Sequence, residues 1–130
     1  MQDVSQAVTD MVAAALPSLQ VAYGEFPGKA PCAMVKASPG DAWVRRYLSG
    51  GGIRRFGYEV YLRTLPRGSE EARFDALAAL RSLQAAIESG AAPEGVSVRT
   101  HEVTSVPSQY AAQQDGCVVY QLQAAITYMA

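Results

Sequence analysis

The stretch that decides the fold is Arg46–Arg63, "RYLSGGGIRRFGYEVYLR". Beyond its glycines, Phe56, Tyr58, Val60 and Leu62 fall on one side of an extended chain, and Arg55, Gly57, Glu59, Tyr61 and Arg63 on the other. Successive side chains of a strand point to opposite faces, so this period-two alternation predicts a half-buried antiparallel strand. Upstream, "AWVRRYL" (42–48) is a second extended run, joined to the first by Ser49-Gly50-Gly51-Gly52. Glycine reaches positive φ without a Cβ penalty, so Gly50, Gly51 and Gly52 read as the turn of a hairpin. A phosphate-cradling loop would need glycines opening a helix and a Lys followed by Ser or Thr. Here the glycines open a strand and no lysine follows.

Towards the N-terminus, "CAMVKAS" (Cys32–Ser38) is another strand, closed by Pro39-Gly40-Asp41. Before it, Leu19, Val21 and Tyr23 alternate with Gln20 and Ala22 and end at Gly24. With the Pro27-Gly28 turn between them, these two runs are expected to form an antiparallel hairpin. Ahead of both, Val4, Val8, Met11, Val12 and Ala15 recur at steps of three and four. That spacing lines one face of a helix from Asp3 to Leu16, capped by Asp3 or Ser5 and stopped by Pro17.

Towards the C-terminus, "EEARFDALAALRSLQAAIESG" (70–90) is the clearest helix. Ala76, Leu77, Leu80, Leu83 and Ile87 form its apolar stripe, with Phe74 on the flank. Ser69 suits its N-cap, Glu70 and Glu71 favour the positive end of the helix dipole, and Gly90 suits a left-handed C-cap. "VSVRTHEVTSVP" (96–107) then alternates and is rich in β-branched residues, "SQYAAQQDG" (108–116) reads as a polar connection, and "CVVYQLQAAITYMA" (117–130) is a final strand. Val118, Tyr120, Leu122, Ala124, Ile126 and Tyr128 lie on one face of that strand. The order implies an α+β fold: a single domain over residues 1–130, with one mainly antiparallel sheet and two helices packed on it.

The bulk numbers agree with one globular domain of 130 residues, 49% hydrophobic. A formal net charge of −1 gives no global attraction to nucleic acid or membrane. The N-terminus has no positively charged segment ahead of a long apolar run, so no signal peptide is expected, and no apolar run is long enough to span a bilayer. Cys32 and Cys117 are the two cysteines, far apart and outside any C-x-x-C pattern, and are expected to be free buried thiols. His101 is the single histidine, which removes multi-histidine metal sites and relays. Its neighbour Glu102 points to the opposite face of the strand. Glu59 is expected to pair across strands with an arginine. No nucleophile–base pair or carboxylate dyad can be nominated, so catalytic, cofactor and metal residues are all read as none.

What remains is the charge around the glycine bend. Arg45, Arg46, Arg54 and Arg55 bracket it, and Tyr47 and Phe56 lie alongside. A solvated loop, a nucleic-acid contact and a protein contact compete for this pattern. The acidic overall balance and the lack of a second basic cluster favour protein, so Arg45, Arg46, Tyr47, Arg54 and Arg55 are the candidate interface.

Together, "VAYGEFP" (21–27), "RRYLSGGGIRRFGYEVYLR" (45–63), "SEEARFDALAALRSLQAAIE" (69–88) and "HEVTSVPSQYAAQQDGCVVYQLQAAITYMA" (101–130) resemble the minor capsid or tail terminator proteins of long-tailed phages and prophages. The resemblance implies a non-enzymatic structural protein of the virion neck. Its copies would form a ring homo-oligomer, six-fold, on the head-proximal end of the tail tube, stopping tube polymerisation and offering a head–tail joining surface; the small residues Ala124, Ala125 and Thr127 of the last strand, with its glutamines, would suit an edge that pairs or packs between subunits. It implies as partners a second copy of the chain, the tail tube protein and a head-completion or connector protein, with nucleic acid present only as DNA passing through the lumen. Location would be the virion, and the host cytoplasm during assembly. A head–tail connector or tail completion protein of the same architecture is the nearest alternative, and an RNA-binding α+β module a more distant one. Charge reversal at Arg54 and Arg55 is expected to weaken docking on the tube.

Overall fold

The computed structural model describes residues 3–40, 43–64 and 70–130. Its elements are α1 (Val4–Ala15), β1 (Gln20–Tyr23), β2 (Cys32–Ala37), β3 (Trp43–Arg46), β4 (Gly52–Arg63), α2 (Glu70–Glu88), β5 (Val98–Ala112) and β6 (Val118–Met129). The strands form one six-stranded sheet in the order β1-β2-β4-β6-β5, and β3 pairs with the N-terminal part of β4. All pairings are antiparallel except β1 with β2, and both helices contribute to one core, so the fold is α+β as expected.

The alternation read in residues 56–62 does the work assigned to it. Tyr58, Val60 and Leu62 are buried beneath the helices, joined from β6 by Tyr120, Leu122, Ala124 and Ile126. Val8 and Val12 of α1 and Leu80, Leu83 and Ile87 of α2 close the layer from above. Each such Val, Leu or Ile side chain removed from water contributes roughly 1.5–3 kcal/mol before entropy is charged against it. The helix ends follow local chemistry. Asp3 caps α1 by accepting the Ser5 N–H at 3.0 Å. Gly90, at φ 99°, ends α2 in a Schellman arrangement: its N–H donates to Ile87 O at 3.0 Å and the Ala91 N–H to Ala86 O at 2.9 Å. The expected cap Ser69 and turn residue Asp41 lie outside the described residues.

Four expectations are corrected. First, β1 and β2 are parallel, with Gln20 opposite Cys32 and Tyr23 opposite Val35, rather than a hairpin. The Pro27-Gly28 segment is a return loop that carries the chain back to the start of the sheet. Arg63 holds that loop, donating to Gly28 O and lying 4.8 Å from the Phe26 ring centroid. Second, the polar run Ser108–Ala112 is strand, the far half of β5. Its alternation is scrambled by register shifts against β6, one of them across Ser105 and Ser108, where Pro107 sits. Proline is tolerated there because β5 is an edge strand and a bulge removes the need for its N–H. Third, β6 is interior, flanked by β4 and β5, so the small residues Ala124 and Ala125 are buried within this chain rather than offered to a neighbour. Fourth, Glu59 accepts from Tyr61 Oη at 2.8 Å, while its cross-strand neighbours are Lys36 and Gln123, not an arginine.

Cys32 and Cys117 are free and buried. Cys32 lies opposite Arg63 on β2, and Cys117 precedes β6 on the other side of β4. Two strand spacings put their backbones roughly 10 Å apart, too far for a disulfide.

Candidate interface at the β3–β4 arm

The glycine bend is a hairpin turn whose geometry requires glycine. Gly50, Gly51 and Gly52 have φ of 97°, 73° and 153°. The Tyr47 N–H donates to Gly51 O at 3.0 Å and the Gly50 N–H to Tyr47 O at 3.1 Å, closing the turn. At Gly52 a Cβ would lie 2.1 Å from Arg45 O, so β3 and β4 approach each other only because no side chain intervenes. A third strand braces the base: the Ala130 N–H donates to Gly52 O at 2.9 Å, and Ile53 lies opposite Met129. The arm is therefore a built extension of the sheet.

The arginines do not converge on the tip as the sequence suggested. Trp43 gathers two of them, with the Arg54 guanidinium 4.1 Å and that of Arg46 5.0 Å from its ring centroid. Arg55 turns to the other face, where its Nη1 lies against Gly57 and Gly40. Arg54 and Arg55 are half-buried, whereas Arg45 and Arg46 are exposed. Phe56 is not at the arm at all: it packs against the core and stacks on Tyr58 with centroids 6.2 Å apart.

Sequence reasoning placed Tyr47 on this surface but missed its aliphatic members, Val44 and Leu48. Leu48 is fully exposed at 110%, Val44 is 56% exposed and Tyr47 38%. The signal was present in "WVRRYL", where an alternation that fails to bury its apolar members leaves them outward. A patch of aliphatic and aromatic side chains edged by arginine is the composition that protein interfaces favour.

Elsewhere among the described residues, the polar groups that are buried serve the fold. Tyr58 Oη and His101 Nε2 are 2.6 Å apart, and His101 Nδ1 is 2.7 Å from Ala91 O. With Nδ1–H donating to that carbonyl, Nε2 accepts from the tyrosine, so the neutral imidazole is satisfied at both nitrogens. Burial lowers the His101 pKa, against the opposing pull of the Ala91 carbonyl, and burial raises that of Tyr58. These groups tie β5 and the end of α2 to β4. Burial likewise raises the Cys117 thiol pKa, the opposite of what a nucleophile needs. A cleft of about 320 Å³ between α2 and the sheet is walled by Leu19, Pro31, Leu62, Ala76 and Ala79, with Asp75 its one titratable group among the described residues. No helix among them is long and apolar enough to cross a membrane.

No protein-family model matches the chain, and no curated protein does. Its fold does have solved counterparts. It superposes on a chain from the virion of a native gene transfer agent particle with a TM-score of 0.57, covering 98% of this chain and 95% of that one at 15% identity. A second solved structure aligns over 97% of this chain and 89% of its own, with a TM-score of 0.56 and 16% identity. At such identities the likeness is one of fold.

Proposed function

We propose that this chain is a non-catalytic structural component of a phage-type virion, and specifically a tail terminator. Copies of it close into a ring, six-fold, on the head-proximal end of the tail tube. The ring leaves the next layer of tube protein without a partner and presents its upper surface to a head-completion or connector protein, with DNA passing through its lumen. The observation that carries this reading is the end-to-end superposition on a chain from a gene transfer agent virion, which leaves almost no part of either molecule unmatched. Two features support it. The hydrogen-bonded pair Tyr58 and His101 is spent on holding the fold together. And the exposed apolar residues of the β3–β4 arm need a partner surface to cover them.

Deletion of the gene from its phage or prophage, followed by electron microscopy of the lysate, tests the assignment. A terminator leaves overlong or ragged tails. Tails of normal length beside unjoined heads would instead identify a head–tail connector, the alternative with the same architecture.

A further inference from the structure

The arm and the start of α2 lie at opposite ends of the molecule. The arm adjoins Gly52, the first residue of β4, whereas α2 begins beyond the strand's last residue, Arg63. The cleft that brings Leu62 and Thr64 together with Asp75 and Ala76 keeps the first turns of α2 over that far end. Eleven steps of strand separate the two ends by roughly 36 Å.

These two ends are complementary. On the arm, Val44, Tyr47 and Leu48 are exposed and edged by the exposed Arg45 and Arg46. On α2, Phe74 is 60% exposed, although a ring of that size is ordinarily drawn into a core. Glu70 and Glu71, both exposed, lie four and three residues before it on the same face, and the exposed Asp75, one residue after it, stands on the flank beside the cleft. Arg73 stands on the flank of this surface and Arg81 lies two turns further on, so its first two turns are net acidic. One end offers aliphatic groups rimmed by positive charge, and the other an aromatic ring rimmed by negative charge. They are too far apart to meet within one chain.

We propose that the β3–β4 arm of one copy docks on the N-terminal half of α2 of the next, with Leu48 and Val44 against Phe74 and Ala78 and with Arg45 and Arg46 facing Glu71 and Asp75. The contact is heterologous: each copy gives an arm and receives one, which generates a ring when the rotation closes. Strand addition is the less suitable route. The long edge strand β5 is broken by register shifts and Pro107, features that blunt a sheet edge, while β1 and β3 are four residues long. The inference rests on the self-assembling reading above and adds to it which surfaces meet.

Disulfide trapping tests it, since Cys32 and Cys117 are buried and leave the wild-type chain as a silent control. Full-length Leu48→Cys and Ala78→Cys chains, carrying different tags, are mixed under mild oxidation, with sedimentation velocity of the wild type run in parallel. The expected product is a mixed arm-to-helix dimer that neither variant forms alone. Arg45→Glu/Arg46→Glu introduced into the Leu48→Cys chain lowers its yield about tenfold. Glu71→Arg/Asp75→Arg introduced into the Ala78→Cys chain then restores most of the loss. A wild-type oligomer without the mixed link overturns this pairing and leaves the ring standing. Arm-to-arm links overturn it in favour of a two-fold contact. A chain that stays monomeric and unlinked up to about millimolar overturns the pairing and removes self-association, and with it the ring, from the reading.

Discussion

At its C-terminal end β4 is enclosed: Tyr58, Val60 and Leu62 are buried beneath the helix layer and flanked by β2 and β6. At its N-terminal end the same strand has neighbours on both edges, β3 and β6, yet the face that holds apolar core further along holds Arg54 stacked on Trp43. Backbone pairing is complete at both ends. The difference lies in whether a helix supplies the second apolar layer. Where it does, alternation makes a core, and where it does not, the same alternation leaves Val44, Tyr47 and Leu48 facing outward on a braced hairpin. One end therefore determines stability and the other is free to serve assembly.

Substitutions at the two ends should separate those roles. The largest effect is expected in the enclosed half: Leu80→Ala, at a fully buried position over the sheet, should cost about 2–5 kcal/mol by urea unfolding. Next comes the base of the arm. Gly52→Ala forces a Cβ towards Arg45 O and should cost roughly 1–3 kcal/mol, while Gly50→Ala, with nothing within 4 Å of the added carbon, should cost about 1 kcal/mol. Equal costs at the two glycines would mean that the β3–β4 approach is not what fixes the hairpin. Tyr58→Phe leaves His101 Nε2 without its donor and should cost about 1–2 kcal/mol at neutral pH.

That site also sets a pH dependence. Burial lowers the His101 pKa in the folded state, so the unfolded chain takes up the proton first. The contribution of the neutral imidazole is complete above its ordinary value of about 6.5 and is lost as pH falls from there through the lowered folded-state value. His101→Gln should flatten that part of the stability profile; an unchanged acid slope would assign it to other groups. The smallest effect on folding is expected at the arm tip. Leu48→Ala should change the unfolding free energy by less than about 0.5 kcal/mol while reducing self-association, and a large loss of stability there would erase the contrast between the ends.

Much of this architecture was legible in the sequence because it is local. The period of two in residues 56–62, the stripe Ala76–Leu80–Leu83–Ile87 and Gly90 at a helix end each report on their own neighbourhood. Pairing between distant segments does not. Nothing in "EFPGKAP" distinguishes a tight reversal from a return loop, because the choice depends on Arg63, more than thirty residues away, reaching Gly28 O. The strand character of Ser108–Ala112 was hidden because bulges erase alternation. At the candidate site, Gly50–Gly52 were readable as a turn, but the division of the arginines was not, since it follows from Trp43 drawing Arg46 and Arg54 to one face. Phe74 looked like the flank of a core stripe, and only the packed helix shows it turned outward.

Under the tail-terminator proposal, this chain caps the tail tube at its head-proximal end. Immunogold labelling of a peptide-tagged copy in purified virions, viewed by electron microscopy, tests it most directly. A terminator ring gives one cluster of label per particle, at the junction of tail and head. Label distributed along the tube, confined to the distal tip, or absent from virions would contradict it.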